Sequence, residues 1–243
     1  MTLLKTISIV IPVFNEENFI EKTIDKVLKA DSLGLKKEIV VIDDASTDST
    51  PLILKKIKKK PVINNLKLIL KKKNEGKGAA LKVGFQNTSG DIVLVQDADL
   101  EYNPSDYPIL IKPFIENGAD VVYGSRLSTG SAHRILYFWH YVVNKTLTMI
   151  SNMFTNLNLT DMETGYKVFH GDIIRKIAPK LQSKRFGFEP EITARLSKIK
   201  NIKIFEVGIS YSGRTYEEGK KIGWRDGIRA IWEIIRFNIF SLD

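Results

Sequence analysis

Two aspartates two residues apart, Asp97 and Asp99, follow the hydrophobic run Asp91 to Gln96 (DIVLVQ). Carboxylates at that spacing, just past a strand, can turn toward one hard cation. Oxygen ligands suit magnesium or manganese, which keep positions open for substrate phosphates. Glu101 offers a third ligand, directly or through water. A turn capped by aspartates uses the same residues, so the motif alone leaves both readings open. A second polar run, DDASTDST (43–50), follows the apolar run EIVVI. A carboxylate there can accept hydrogen bonds from a base or a ribose, while Ser49 and Thr50 also read as helix caps. A third segment, NEGKGAA (74–80), lets a backbone approach a ligand closely and puts Lys77 within reach of a phosphate. It is neither a P-loop nor GxGxxG, since the sixth position is Leu81, and a plain loop-to-helix junction has the same composition.

The elements that must position these residues alternate. Ile7 to Val13 (ISIVIPV), Glu38 to Ile42, Leu66 to Leu70, Asp91 to Gln96 and Asp120 to Tyr123 read as strands. The first is continuous and β-branched, as a strand buried on both faces is. Helices are predicted between them. The first is capped by Asn15, with Glu16 and Glu17 in its first turn. The second starts at Thr50-Pro51, and the others cover Gly78 to Asn87 and Pro104 to Glu116. The second half reads as helices over about 134–157, 172–181, 188–200 and 225–239, with one strand from Lys203 to Tyr211. The pattern predicts an α/β fold: an open, mostly parallel, Rossmann-like sheet with helices on both faces. Ligands then bind beyond the carboxyl ends of the strands, where Asn15-Glu16, Asp43-Asp44 and Asp97-Ala98-Asp99 all fall. No internal repeat or linker appears, so residues 1–243 read as one domain.

The chain has 243 residues, 43% hydrophobic and 27% charged, with 37 Lys and Arg against 28 Asp and Glu and a formal charge of +9. It has no cysteine, which excludes a disulfide scaffold, a Cys-ligated zinc site and a cysteine nucleophile. Its three histidines, His133, His140 and His170, lie too far apart for an HExxH site. The N-terminus lacks the pattern of a signal peptide, and no run of about 18 uninterrupted apolar residues reads as membrane-spanning. The chain is therefore expected in the cytoplasm, with room for peripheral association with a membrane.

Taken in order, IPVFNEE (11–17), VVIDDASTDST (40–50), NEGKGAAL (74–81), DADLEYNP (97–104), GSR (124–126) and TDMETGYKVF (160–169) resemble the family 2 glycosyltransferases of the GT-A fold. The resemblance lies in particular with the dolichyl-phosphate mannosyltransferases and related polyprenyl-phosphate sugar transferases, and it covers about 7 to 225. It implies that Pro12, Asn15, Glu16 and Asp44 hold a nucleoside. It also implies that Asp97 and Asp99, around Ala98, bind Mg2+ or Mn2+, although Glu101 stands where the mannosyltransferases often carry glutamine. Arg126 resembles a phosphate-binding arginine. Lys77 and Arg134 are further candidates for substrate contact. Arg214 and Lys221, in GRTYEEGKKIGW, resemble a loop that closes over a diphosphate, with looser spacing than in the family. The implied activity is inverting transfer of a hexose from a nucleotide-diphosphate sugar, of the GDP-mannose or UDP-glucose type, to a polyprenyl phosphate. Transfer to a saccharide hydroxyl is the alternative, and a non-catalytic basic binding protein on the same fold the rival from another class.

The acceptor decides whether a base is needed. A phosphate monoester, with a second pKa of about 6, is mostly ionised near neutrality. A hydroxyl requires a proton acceptor, for which Asp161 and Glu163 are the candidates; both also read as loop caps. Ten lysines lie between Lys55 and Lys77. They form either a solvated face or a surface for anionic lipid; nucleic acid is not expected, because aromatic residues are sparse there and no RNA-binding signature appears. Segment 134–157 carries Ile135, Phe138, Trp139, Val142, Val143, Leu147, Ile150, Met153 and Phe154 at helical spacing, beside Arg134 and Lys145. Helix 225–239 repeats the pattern. Core or dimer packing and an interfacial membrane helix share this signature. A lipid-linked acceptor favours the cytoplasmic membrane face, and the oligomeric state stays open.

Overall fold

The computed structural model describes residues 4–60, 65–128, 134–135, 137–185, 187–213 and 224–240. Seven strands form one sheet: β1 (Thr6–Val13), β2 (Lys36–Asp43), β3 (Leu66–Leu70), β4 (Ile92–Val95), β5 (Val121–Ser125), β6 (Lys167–His170) and β7 (Ile204–Gly208). Their order is β3-β2-β1-β4-β6-β5-β7. All pairings are parallel except those of β6, which runs antiparallel to both β4 and β5. The helices are α1 (Ile20–Lys29), α2 (Thr50–Lys58), α3 (Lys77–Gln86), α4 (Tyr107–Glu116), α5 (Phe138–Thr155), α6 (Gly171–Ile177), α7 (Phe188–Ser197) and α8 (Trp224–Ile235).

Alternation along β1 explains why its residues are apolar without interruption. Ile9 and Ile11 pack with Val41 and Leu94 against α1, α2 and α4, through Ile24, Leu54 and Leu110. Val10 faces the other way, with Val40, Val93 and Val95, onto Leu81 and Phe85 of α3 and Ile192 of α7. Each such fully buried side chain contributes about 1.5–3 kcal/mol. The mostly parallel sheet covered on both faces is the architecture the sequence predicts.

Three expectations differ. Asn15 does not cap α1: it has φ +52 and turns the chain, and α1 begins at Ile20 behind Phe19, with the Glu16 carbonyl accepting from the N–H groups of Phe19 and Ile20. Ser49 and Thr50 do not cap α2 with their side chains; instead Asp48 accepts from the Thr50 N–H at 2.9 Å. The helix expected from 134 begins at Phe138, because the Arg134 N–H is held by the Tyr211 carbonyl at 2.8 Å, which keeps the chain out of the helix there. The short β6 has no counterpart among the predicted strands. The C-terminal helix continues past Ile235 as a π-helical turn, Arg236–Phe240.

Candidate active site

The carboxyl ends of β1, β2, β4 and β5 open on one edge, and the candidate residues gather there. Gln96, wholly buried just after β4, fixes the geometry. Its Oε1 accepts from the hydroxyls of Tyr107 (2.9 Å) and Tyr166 (2.7 Å), and its Nε2 donates to the Asp97 carbonyl at 3.0 Å. The next carbonyl, of Ala98, accepts from the Thr23 hydroxyl at 2.8 Å. Ala98 is thus buried backbone support. Leu100 turns with φ +62, a left-handed conformation that costs a residue with a Cβ about 1–2 kcal/mol and is retained where the surroundings impose it. Asp99 accepts from the Glu101 N–H at 3.2 Å.

Asp97 points at the loop that enters β6. A Cβ on Gly165 would sit 2.4 Å from Asp97 Oδ2, and the Gly165 N–H donates to the Tyr102 hydroxyl at 2.7 Å. From the other side comes Lys77, the first residue of α3. Its ammonium lies 2.9 Å from Asp97 Oδ1 and 3.3 Å from Glu189 Oε1 of α7. Burial opposes the lysine's charge, but the Asp97 and Glu189 carboxylates outweigh it and hold the ammonium protonated, above the usual lysine range. Gly76, with φ +97, makes the turn that presents Lys77.

A second charged pair stands at the end of β5. Arg126 grips Asp161 through Nε–Oδ2 and Nη2–Oδ1, both 2.7 Å, and its backbone N–H adds a third bond at 3.1 Å. Burial works against ionisation of Asp161, yet the Arg126 guanidinium holds its carboxyl below the usual range. The guanidinium also lies 5.3 Å from the centre of the Tyr211 ring, and the Tyr211 hydroxyl donates to Glu101 at 2.8 Å. Glu101, Tyr211, Arg126 and Asp161 therefore form one chain of contacts beside Asp99.

Several candidates take other places than the sequence suggests. Asp161 is committed at both oxygens to Arg126, so it orients that guanidinium and is not poised to accept a proton. Asp44 is buried, with its carboxylate taken by the Lys71 ammonium and by the N–H groups of Glu75 (3.1 Å) and Gly76 (2.6 Å); it builds the turn before α3. Its neighbour Asp43, at the tip of β2, keeps a buried Oδ1 with no hydrogen-bond partner, and burial raises its pKa. Asn15 ties the β1 end to the next loop by accepting from the Thr47 N–H at 2.8 Å, and the Glu16 N–H donates to Thr50 Oγ1 at 3.0 Å. Pro12 lies opposite Ile42 within the β1–β2 ladder. Lys71 and Lys77 turn inward, apart from the solvated lysine face expected around them. Arg134 holds the 211–213 segment, donating to the Gly213 carbonyl at 2.9 Å. Arg214 and Lys221 lie outside the described residues.

Among the described residues no three acidic or histidine side chains converge as a ready-made metal cluster. Asp97 and Asp99 are hard donors two positions apart in the chain, and Glu101 bonds to Tyr211. Sequence reasoning missed Glu189, because FEPE at the start of a helix reads as acids favoured by the helix dipole. It also missed Gln96, Tyr102 and Tyr211, whose roles depend on contacts distant in sequence.

The chain matches the family described as Glycosyl transferase family 2 over residues 8–178. It is 28% identical over 218 residues to the dolichol-phosphate mannosyltransferase of Pyrococcus furiosus, covering 89% of this chain and 60% of that protein. It is 27% identical over 249 residues to the dolichyl-phosphate beta-glucosyltransferase of Dictyostelium discoideum, covering 95% and 73%. The fold matches that of glucosyl-3-phosphoglycerate synthase from Mycobacterium tuberculosis, solved with Mn2+, UDP and phosphoglyceric acid. The TM-score is 0.70 at 20% identity, over 98% of this chain and 80% of the other.

Proposed function

The chain belongs to glycosyl transferase family 2, and from that premise we propose that it moves a hexose from a nucleotide-diphosphate sugar to a polyprenyl phosphate, with inversion at the anomeric carbon. The observation that carries this reading is the placement of an acidic pair, Asp97 and Asp99, and a buried, oriented guanidinium, Arg126, on one edge of the sheet. The first suits a diphosphate with its cation, the second an anionic acceptor. The names of the relatives, a dolichol-phosphate mannosyltransferase and a dolichyl-phosphate glucosyltransferase, support the same acceptor class.

Asp97 and Asp99 fit Mg2+ or Mn2+. Such ions are held by one or two carboxylates, with phosphate and water completing the shell; the Asp97 oxygens meet the Lys77 ammonium at 2.9 and 3.1 Å, so a cation there would share the carboxylate with Lys77. When bound there, the cation neutralises charge on the departing nucleoside diphosphate. Lys77, held protonated beside Asp97, brings a second positive charge to the same phosphates. The unpartnered Asp43 oxygen suits an N–H or O–H of the nucleoside. Arg126, fixed in orientation by Asp161 and Tyr211, offers charge-assisted bonds to the acceptor phosphate. That phosphate is already ionised at neutrality, so attack on the anomeric carbon is a matter of positioning. Commitment of Asp161 to Arg126 removes one of the two proton acceptors that a hydroxyl acceptor would call on, and leaves Glu163.

The test is transfer from GDP-mannose, UDP-glucose and related donors to a short polyprenyl phosphate, with Mn2+ or EDTA. Metal-dependent formation of a lipid-linked sugar is expected from one donor. Transfer to free saccharide but not to the lipid phosphate would overturn the acceptor.

The acceptor's tail implies a membrane. No described helix is long and apolar enough to cross one. On α5, however, Phe138 is 67% and Trp139 73% exposed, and Met149 and Met153 lie outward too, with Lys145 alongside. Only Leu147, Thr148, Ser151 and Thr155 of that helix are buried. This arrangement supports peripheral binding at the cytoplasmic membrane face. Inserting each aromatic side chain would contribute up to about 1.5–3 kcal/mol, and each nearby Lys or Arg roughly 1 kcal/mol with anionic lipid. Replacing Phe138 and Trp139 together with serine should release the protein from anionic liposomes while transfer to a water-soluble acceptor persists. A folded double variant that sediments like wild type would return the face to protein contact.

A further inference from the structure

The order of strands fixes the order in which a bound donor must cross the edge. In the proposed reading the nucleoside would lie near Asp43 at the end of β2, the diphosphate at the end of β4 beside Asp97 and Asp99, and the acceptor phosphate at the end of β5 on Arg126. Between β4 and β5 stands β6, entered by the loop 161–166. The group between the diphosphate and the acceptor is the hexose, so the hexose must lie over this loop and over the neighbouring start of α7. The following inference rests on the proposed transferase reading.

Two carboxylates occupy that place, each with one buried oxygen that has no hydrogen-bond partner. Glu163, in the loop, has its Oε1 sealed from solvent with no hydrogen-bond partner. Glu189, at the start of α7, is 4% exposed, and its Oε2 is likewise sealed and unpartnered. Its other oxygen contacts Lys77, whose ammonium bridges to Asp97, so Glu189 stands one ammonium group away from the diphosphate position. Burial raises the pKa of Glu163, and the charge of Glu189 adds to that rise. Lys167 is buried close by, but its ammonium donates to the Thr164 carbonyl and lies 5.1 Å from the centre of the Tyr123 ring, so it leaves both carboxylate oxygens unsatisfied. A buried carboxylate oxygen without a donor is costly, and native structures keep few of them. A donor sugar carries the missing groups as hydroxyls.

We propose that Glu163 and Glu189 form the floor of the sugar subsite. Their unpartnered oxygens accept hydrogen bonds from hydroxyls of the transferred hexose and so select the donor. Glu163 acts on the bound sugar and not on the nucleotide, whereas Glu189 meets the sugar through Oε2 while its Oε1 stays with Lys77. This placement also explains why the loop carries a glutamate two residues before Gly165, where a small residue is required to clear Asp97.

The experiment compares binding of the nucleoside diphosphate with binding of the nucleotide sugar. Calorimetry with Mn2+ and UDP, GDP, UDP-glucose and GDP-mannose would be run on wild type, Glu163→Ala, Glu163→Gln and Glu189→Gln. In Glu163→Ala the affinity for the preferred nucleotide sugar should fall about three- to tenfold, the loss of a hydrogen bond to a carboxyl group that burial keeps largely neutral. The matching nucleoside diphosphate should change less than about twofold, and Glu163→Gln should recover part of the loss. The wild type should lose a similar factor toward a deoxy donor lacking one contacted hydroxyl, a readout that needs no variant to fold. Equal weakening of nucleotide and nucleotide sugar, or indifference of the wild type to every deoxy donor, would overturn the subsite and leave transferase function standing. Failure of the wild type to bind any nucleoside diphosphate would overturn both.

Discussion

Asp97→Ala should lower sugar transfer by about a thousandfold or more while the protein remains folded. Loss of a preorganised group aimed at developing charge costs roughly 10²–10³ in kcat. Here the carboxylate holds a cation as well as Lys77, so the loss should reach the top of that range, about 4 kcal/mol. The fold should tolerate the change, because Lys77 keeps Glu189 at 3.3 Å as a counter-charge and is not left buried alone. Asp99→Ala should also lose activity. Calorimetric titration with Mn2+ gives an independent readout: binding in the presence of UDP or GDP should weaken in both variants, with the unfolding midpoint of Asp97→Ala close to wild type. Wild-type turnover in either variant, or wild-type turnover undiminished in EDTA, would remove the metal from the mechanism.

What the sequence disclosed and what it hid have physical causes. β1, β2 and β4 are buried on both faces, and that burial demands the continuous apolar runs by which they were recognised. β6 is four residues long, and its Lys167 and His170 break any such run. Only its pairing to β4 and β5 makes it a strand. Asp97 and Asp99 were recognisable because a strand end needs no distant contact to place them. The two ion pairs that shape the site, Lys77 with Glu189 and Arg126 with Asp161, join residues remote in sequence, and nothing local foretells them. Lys71 and Lys77 look like members of a solvated lysine run, yet both turn inward toward carboxylates at strand ends. Asp44 has the residue type of a ligand contact and spends it on the turn before α3. The unpartnered oxygen belongs to Asp43, a distinction of one residue that depends on which side of β2 each carboxylate faces.

Asp161→Ala should destabilise the protein by about 3–5 kcal/mol, because it leaves a buried guanidinium without its counter-charge. The Arg126 side chain is 11% exposed and Asp161 is wholly buried. For a chain of this size each kcal/mol moves the midpoint by about 2–4 °C, so a fall of roughly 6–20 °C is expected. The pair is not thereby a net source of stability. Arg126→Met combined with Asp161→Leu removes both charges, and replacements of this kind are often neutral or stabilising. The double variant should recover most of the lost midpoint yet transfer no sugar, because the acceptor phosphate has lost its guanidinium. The pH dependence follows from the lowered pKa of Asp161 in the folded state. Such a group contributes its stability above the unfolded carboxylate value of about 3.9 and loses it as pH falls through the lower folded value. The gap between wild type and Asp161→Ala should therefore hold from pH 5 to 8 and narrow only below about pH 4. Urea unfolding at pH 7 and pH 3.5, with transfer assays at pH 7, would measure all three effects. A double variant as unstable as Asp161→Ala would mean that lost packing, not the uncompensated charge of Arg126, sets the cost. An active double variant would move the acceptor phosphate away from Arg126.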